Sequence, residues 1–201
     1  IMKIFILRHE DKTMDTSFYS PLTEEGIENS IKLIDTLRDE EIDMIYSSPF
    51  IRTIQTIFPY CKKYNYKINL DYSLSEMQNK KLILEKSYKM KLPKYLMKKY
   101  NCSNHKSIID PEDYNYPEEI NDLEKRVKKF LHYIISNHSN FKDKNIVIVT
   151  HMAVCNVINM IAYNNYTKSN EYNMETKYPK GALTRIFNNG SWDFKPINWE
   201  I

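Results

Sequence analysis

The chain has 201 residues, 42% of them hydrophobic, with 16 tyrosines and eight phenylalanines. This composition excludes a disordered polymer and suits a single domain over residues 1–201, with a sizeable buried core. The net charge at pH 7 is only +3, which excludes a chain that is strongly basic or acidic throughout. No apolar run approaches the roughly 20 residues that a membrane-spanning helix needs, so we expect no contact with a membrane.

The first predicted elements are a strand and an amphipathic helix. Residues 3–7 are a short apolar run, which predicts a buried strand. Thr23 then offers a hydroxyl as the N-cap of a helix, and the two glutamates after it suit the positive end of the helix dipole. We expect this helix to bury one apolar stripe, whose members are Ile27, Ile31, Ile34 and Leu37.

The next two elements repeat that order. Residues 42–48 predict a second strand. Ser48 and Pro49 predict the N-cap and first position of a helix that runs to about Tyr64. A short stretch after this helix, residues 68–74, leads to Glu76.

The second half of the chain continues the alternation. Residues 118–137 show the clearest helical periodicity. The β-branched run at residues 145–150 is typical of a central parallel strand, and residues 152–163 predict an apolar helix behind it. Near the C-terminus, two further strand patterns flank Asn189-Gly190, a dipeptide that favours a tight hairpin turn.

Strands separated by helices predict the fold class. It is α/β, a three-layer α/β/α sandwich whose mainly parallel sheet carries helices on both faces. Residues 77–117 interrupt the alternation, and we interpret them as a small helical cap inserted over one end of the sheet. Nine lysines and one acid lie between Lys80 and Lys106, which gives that stretch a net charge of +8. Such a stretch is either a solvated face or a surface that attracts an anionic substrate, and the scarcity of arginine argues against nucleic acid.

Polar side chains follow the predicted strands at the places where the strands end. Ligands bind beyond the carboxyl ends of the strands in an open α/β sheet, so these residues are candidates for one site. They are Arg8, His9, Ser47, Ser48, Arg52, Glu76, Thr150 and His151. Ser47 and Ser48 are better explained as turn and cap residues than as nucleophiles.

Two arginines, two histidines and a helix N-terminus together favour an anion site. A guanidinium offers a fixed fork of donors to phosphate oxygens, and the start of a helix adds N–H groups. Positive neighbours lower the pKa of a histidine, and a neutral imidazole can attack phosphorus. A carboxyl group such as that of Glu76 can then protonate the leaving oxygen.

Five short motifs, in this order, resemble those of the histidine phosphatase superfamily, which has a phosphoglycerate-mutase-like fold. They are RHE at 8–10, PLTEEG at 21–26, SSPFIRTIQT at 47–56, LSEM at 74–77 and THMAV at 150–154. The resemblance implies that His9 is the nucleophile that becomes phosphohistidine and that Glu76 is the proton donor. It also implies that Arg8, Arg52 and His151 form the phosphate pocket. His151 then has a catalytic role as well, and the reaction needs no metal or other cofactor.

Some positions depart from the family pattern. Glu10 stands where the family usually has glycine, and Met152 replaces the glycine after the second histidine. Lys12 and Asp15 occupy the places of a serine and an asparagine in the longer signature of the family's mutases, which argues against mutase activity. The resemblance implies a phosphatase, and two alternatives stay open: a phosphoglycerate mutase, and an inactive module that binds a phosphorylated ligand.

Two acids and one metal site compete with these assignments. Glu10 and Asp11 are rivals of Glu76 for the proton-donor role, because they adjoin His9. A metal site built from His9, Glu10 and His151 is disfavoured, since the adjacent arginines oppose a cation.

The remaining expectations concern cysteines, glycine and partners. Cys61, Cys102 and Cys155 are far apart and odd in number, which favours free thiols in a reducing compartment such as the cytoplasm. No signal-peptide pattern opens the sequence. Gly26 is interpreted as a position of close packing. The expected partner is a small phosphorylated substrate or a phosphoprotein, and the oligomeric state stays open.

Overall fold

The computed structural model describes residues 2–137, 143–163, 178–188 and 192–197. Within these residues six strands form one sheet: β1 (Met2–Arg8), β2 (Met44–Ser47), β3 (Ile68–Leu70), β4 (Asn145–Thr150), β5 (Leu183–Asn188) and β6 (Trp192–Ile197). The α-helices of the same residues are α1 (Glu24–Thr36), α2 (Ile51–Tyr64), α3 (Lys94–Lys99), α4 (Ile120–Ser136) and α5 (Met152–Tyr163). In this part of the chain, no helix is both long enough and apolar enough to cross a lipid bilayer.

The sheet has the strand order β3-β2-β4-β1-β5-β6. Strands β3, β2, β4 and β1 run parallel to one another, and β5 and β6 add an antiparallel hairpin beside β1. Parallel neighbours need long crossover connections, which the helices of this fold supply. The prediction of a mainly parallel sheet is therefore confirmed. The turn expected at Asn189-Gly190 lies outside the described residues.

Alternate side chains of the central strands point to opposite faces, and helices cover both faces. In β1, Ile4 and Ile6 belong to the core shared with α4 and α5, whereas Phe5 and Leu7 belong to the core shared with α1 and α2. A strand that is buried on both faces has a continuous apolar run, which explains the pattern of residues 3–7. The predicted three-layer arrangement is confirmed.

The register of the parallel strands brings their carboxyl ends to one edge. Arg8 pairs with Thr150, and the His9 N–H donates to the Thr150 carbonyl at 3.0 Å. The Ser48 N–H likewise donates to the Val149 carbonyl at 2.9 Å. The polar residues that follow β1, β2 and β4 therefore lie beside one another, at the edge where open α/β sheets bind their ligands.

Helix α1 begins where it was predicted but buries a partly different face. Thr23 is its N-cap, and the Thr23 hydroxyl accepts the Gly26 N–H at 3.1 Å. The predicted apolar stripe is wrong at its first two positions, because Ile27 and Ile31 are 45% and 52% exposed. It is confirmed at Leu37, which is buried, and at Ile34, which packs against the core. The buried positions are Gly26, Ser30, Leu33 and Leu37.

A close backbone approach explains which face of α1 is buried. A Cβ atom at Gly26 would lie 2.2 Å from the Asp11 carbonyl oxygen, which leaves no room for any other residue. Ser30, another small residue, lies one turn further along the same face and is buried. The packed face therefore begins with two small residues, and a search for large apolar residues at helical spacing does not select them. The interpretation of Gly26 as a close-packing position is confirmed.

Helix α2 begins at Ile51, with Phe50 as its N-cap. The predicted start at Ser48 and Pro49 is therefore too early. The Ser48 hydroxyl lies 2.8 Å from His151 Nε2 instead. Its side chain therefore contacts the residue that follows β4. The predicted end of the helix, at Tyr64, is confirmed.

The insertion of residues 77–117 packs along the β3 edge of the sheet. The Ile68 N–H donates to the Asn101 carbonyl at 3.2 Å, and the Ile68 carbonyl accepts the Ser103 N–H at 2.9 Å. Ile83 joins the core on the α1 and α2 face. These contacts place residues 101–103 of the insertion beside β3. Apart from the six residues of α3, it consists of loop and short 3-10 turns.

The cysteines and the lysine-rich stretch have the environments that the sequence suggested. Cys61, Cys102 and Cys155 are free thiols. The nine lysines between Lys80 and Lys106 are all exposed, so this stretch forms a solvated basic face.

Replacing Gly26 by alanine tests the close contact of α1. In an open helix alanine is more favourable than glycine by about 1 kcal/mol. Here the added methyl group meets backbone, so we expect Gly26→Ala to lower the free energy of unfolding by about 1–3 kcal/mol. Glu28→Ala, on the exposed face of the same helix, should change it by less than about 0.5 kcal/mol. Urea unfolding measures both, and a Gly26→Ala protein as stable as the parent would contradict the packing described.

Candidate active site

Four of the predicted site residues meet in one buried cluster at the carboxyl edge of the sheet. His9, Arg52, Glu76 and His151 are each at most 8% exposed. The rings of His9 and His151 lie edge to face, with their centroids 5.3 Å apart. Glu76 Oε2 lies 3.3 Å from His151 Nδ1 and 3.6 Å from Arg52 Nη2. The strand ends and the first turn of α2 thus bring together residues that are far apart in the sequence.

The hydrogen bond of His9 leaves one ring nitrogen available. His9 Nδ1 lies 2.7 Å from the Glu10 carbonyl oxygen, and a carbonyl can only accept, so Nδ1 carries the proton. In the neutral imidazole the lone pair is then on Nε2. Burial lowers the pKa of His9 well below its usual value, and the charges of Arg52 and His151 lower it further. His9 is therefore an uncharged imidazole at neutral pH, with a free Nε2.

His151 has a hydrogen-bond partner at Nε2, whereas Nδ1 lies 3.3 Å from the Glu76 carboxylate without forming a hydrogen bond. Its Nε2 lies 2.8 Å from Ser48 Oγ, and its Nδ1 faces the Glu76 carboxylate. Burial lowers the pKa of His151, Glu76 opposes that effect, Arg52 reinforces it, and the resulting pKa is about 4. Ser48 thus contacts a residue of the cluster, whereas the sequence analysis explained it as a turn and cap residue. Its position at a strand end was the one signal for this role.

Arg52 is held in the cluster by backbone and aromatic contacts. Its Nη1 donates to the Ser17 carbonyl at 3.0 Å, and its guanidinium lies 4.7 Å from the centre of the Phe50 ring. Among the described residues, Arg52 Nε has no hydrogen-bond partner. The guanidinium therefore keeps donors that an anionic ligand could use.

Arg8 has a different hydrogen-bond partner from Arg52. Its Nη1 donates to the Tyr178 carbonyl at 2.6 Å, which ties the end of β1 to the segment before β5. Its charge is still near enough to Arg52 to lower the pKa of that guanidinium, although burial is the larger cause. Arg8 therefore contributes positive charge to the same edge of the sheet.

Glu76 is ionised in this arrangement. Burial alone raises the pKa of its carboxyl, but His151, Arg52 and His9 together bring it below the usual value. Its Oε1 also accepts the Met77 N–H at 3.1 Å. The carboxylate thus carries a negative charge that the surrounding positive and polar groups stabilise.

A buried arginine of α4 fixes the backbone that carries Glu76. Arg126 Nη1 donates to the Ser73 carbonyl at 2.6 Å, and Nη2 donates to the Ser75 and Glu76 carbonyls at 2.8 and 3.2 Å. The Glu118 carboxylate accepts from Arg126 Nε at 2.6 Å and so compensates the buried charge. Sequence reasoning missed this contact. The feature that could have indicated this contact is the position of Arg126 beside the apolar stripe of a strongly periodic helix.

The two rival acids lie away from the cluster. The Glu10 carboxyl packs against Gly181, where a Cβ atom would lie 2.2 Å from Glu10 Oε1. Gly181 has a φ of +70°, a conformation that suits glycine. Asp11 accepts from the Thr23 hydroxyl at 2.9 Å and contacts Lys180. These contacts of both carboxyl groups are with residues outside the cluster.

Within the part of the chain that the structure describes, one group of residues could hold a metal ion, and it differs from the group considered in the sequence. The donor atoms of His9, Glu76 and His151 all lie within 4.8 Å of one another, so Glu76 takes the place considered for Glu10. The guanidinium of Arg52, 3.6 Å from the Glu76 carboxylate, opposes a second positive charge there. The set of residues suits an anion better than a cation.

The sequence matches a known family over most of its length. Residues 8–199 match the sequence model described as "Histidine phosphatase superfamily (branch 1)". The chain therefore belongs to the histidine phosphatase superfamily, as its motifs indicated. A comparison with curated proteins finds no match.

Solved structures with the same fold include several phosphatases. The ecdysone phosphate phosphatase from Bombix mori, in complex with tungstate, has a TM-score of 0.72 at 13% identity, covering 100% of this chain and 96% of that chain. The alpha-ribazole phosphatase from Shigella flexneri has a TM-score of 0.69 at 18% identity, covering 98% and 96%. A mycobacterial glucosyl-3-phosphoglycerate phosphatase complexed with VO3 has a TM-score of 0.67 at 13% identity, covering 98% of both chains. These similarities confirm the fold class.

The lowered pKa values predict the charge state of the two histidines. An imidazole is neutral above its pKa, so His9 and His151 should stay neutral well below pH 6.5, the usual midpoint. In nitrogen NMR spectra at pH 5.5, assigned with His9→Asn and His151→Asn, both rings should show neutral imidazole signals, with Nδ1 of His9 protonated. A titration midpoint at or above 6.5 for either ring would contradict the burial and charges described.

Proposed function

We propose that this chain is a phosphomonoester hydrolase that works through a phosphohistidine at His9. The observation that carries the proposal is the neutral imidazole of His9, whose free Nε2 lies in a cluster with Arg52. A neutral imidazole is a nucleophile, and a nearby guanidinium stabilises the charge of a phosphoryl group. Family membership and phosphatases of the same fold support this function.

The phosphoryl group is held by positive and polar groups at the sheet edge. We assign this role to Arg8, Arg52 and His151, of which Arg52 keeps unused donors. Two of the similar structures are complexes with the oxyanions tungstate and VO3, which supports an oxyanion ligand for this fold. No metal ion is required in this proposal, because the arginines provide the positive charge.

Glu76 must gain a proton before it can act as the acid. In the free protein its carboxyl is ionised, because Arg52 and the histidines lower its pKa. A bound phosphate brings two negative charges beside Glu76 and draws the Arg52 guanidinium to its own oxygens. Both changes raise the pKa of the carboxyl, so substrate binding itself prepares Glu76 to hold the proton.

The reaction then has two balanced steps. His9 Nε2 forms a bond to phosphorus, the bond to the leaving oxygen breaks, and that oxygen takes the proton of Glu76. In the second step the Glu76 carboxylate accepts a proton from water while the water oxygen attacks phosphorus. The bond between phosphorus and Nε2 breaks, its electron pair returns to His9, and inorganic phosphate leaves.

The departure at Glu10 does not weaken this proposal. A carboxylate beside the bound phosphoryl group would favour an inactive binding module. The Glu10 carboxyl packs against Gly181 instead, and burial raises its pKa. A retained phosphohistidine that is passed to a second substrate would indicate the mutase alternative.

Leaving-group dependence tests the role of Glu76. An alkyl phosphate leaves as a basic alkoxide and needs a proton, whereas a nitrophenyl phosphate leaves as a stable phenolate. Glu76→Gln should therefore lower kcat/KM for alkyl phosphates by a factor on the order of 10²–10⁴, with a much smaller loss for nitrophenyl phosphate. Steady-state kinetics with EDTA present measures both and tests metal independence.

The matched control is Glu10→Gln, which removes a neighbouring carboxyl outside the cluster. It should lower both kcat/KM values by the same small factor. If Glu10→Gln alone showed the leaving-group dependence, Glu10 would be the proton donor and the assignment of Glu76 would be wrong.

A further inference from the structure

The Lys12 ammonium group donates to two backbone carbonyls. Its Nζ donates to the Thr13 carbonyl at 2.9 Å and to the Asp15 carbonyl at 2.8 Å. The Asp15 carboxylate contacts the hydroxyls of Thr13 and Ser20 and acts on the ammonium group only through its charge. Two neutral carbonyls thus orient the ammonium group and leave one of its three N–H donors for another partner.

Lys12 and Arg52 bind the same loop. Lys12 donates to the carbonyl of Asp15, and Arg52 donates to the carbonyl of Ser17, two positions further on. The charges of the cluster also act on the half-buried ammonium group. Burial lowers the pKa of Lys12, the charge of Arg52 lowers it further, and the carboxylates of Asp15 and Glu76 act in the opposite direction. Lys12 therefore lies at the rim of the cluster that contains both residues.

The charge of the cluster is too small for the ligand that we propose. Arg8 and Arg52 are positive, Glu76 is negative and both histidines are neutral, which leaves a net charge of +1. A phosphomonoester dianion carries two negative charges. Lys12 adds a third cation with a donor at the rim of the site, and the exposed Asp15 carboxylate, which acts on both Lys12 and Arg52, offsets part of its charge.

We propose that Lys12 is a further phosphate-binding residue, whose ammonium contacts the phosphoryl group that His9 attacks. This inference rests on the proposed function, since it places the phosphoryl group beside His9. The contact is to the transferred group, which all substrates share. Loss of Lys12 therefore affects substrates alike, whereas loss of Glu76 affects them according to the leaving group.

Binding of inorganic phosphate tests this inference without any turnover. Calorimetry at pH 8 should show that Lys12→Met weakens phosphate binding by a factor on the order of 10–100, as for the loss of a charged hydrogen bond. Lys12→Arg, which keeps the charge, should retain most of the affinity. The matched control is Lys180→Met, because Lys180 lies in the same region but has Asp11 as its charge partner. It should change the affinity less than about twofold.

Kinetics separates Lys12 from a residue that merely supports the loop. Lys12→Met should lower kcat/KM for alkyl and nitrophenyl phosphates by the same factor. Phosphate affinity within twofold of the parent would overturn the inference, and so would a loss confined to substrates with a second anionic group. Lys12→Gln replaces Lys12→Met if thermal unfolding shows that the latter does not fold. A parent protein that binds phosphate and hydrolyses nothing would refute the hydrolase proposal, while the phosphate affinities would still test Lys12.

Discussion

The buried carboxylate of Glu76 is the constraint on which the rest of the site depends. A charge at this depth is costly unless other groups compensate it. Arg52, 3.6 Å away, and His151, 3.3 Å away, provide that compensation. The three side chains come from the start of α2, the segment after β3 and the end of β4. Each is placed by a different element, so the sheet register that brings these ends together also sets the charge of the site.

The backbone around Glu76 has no regular structure of its own to fix it. The segment after β3 contains one 3-10 turn, Tyr72–Leu74, and then continues as loop. Arg126 replaces the missing hydrogen-bond ladder with bonds to the Ser73, Ser75 and Glu76 carbonyls. A guanidinium suits this task because its donors are held in a rigid plane. Helix α4 therefore contributes to the site indirectly, because its Arg126 holds the backbone segment that carries Glu76.

Much of the fold could be predicted because its strands are apolar runs separated by periodic helices. The strand ends then identified His9, Arg52, Glu76 and His151, and the structure brings these four together. The first turns of the buried face of α1 were missed, because Gly26 packs closely where it has no side chain. Two contacts between distant segments were missed because only the fold brings their partners together: Ser48 with His151, and Arg126 with the Glu76 backbone. The path of the insertion along β3 depends on backbone hydrogen bonds, which side-chain periodicity does not encode.

Trapping the covalent intermediate tests the central claim most directly. The protein is mixed rapidly with a labelled phosphomonoester and quenched in base, because phosphohistidine survives base and is hydrolysed by acid, whereas acyl phosphates of Glu or Asp are lost in base. Mass spectrometry should find the phosphoryl group on the peptide that contains His9, and His9→Gln should carry none. The account would be contradicted by a protein that hydrolyses the ester but carries the phosphoryl group on another residue, or on none.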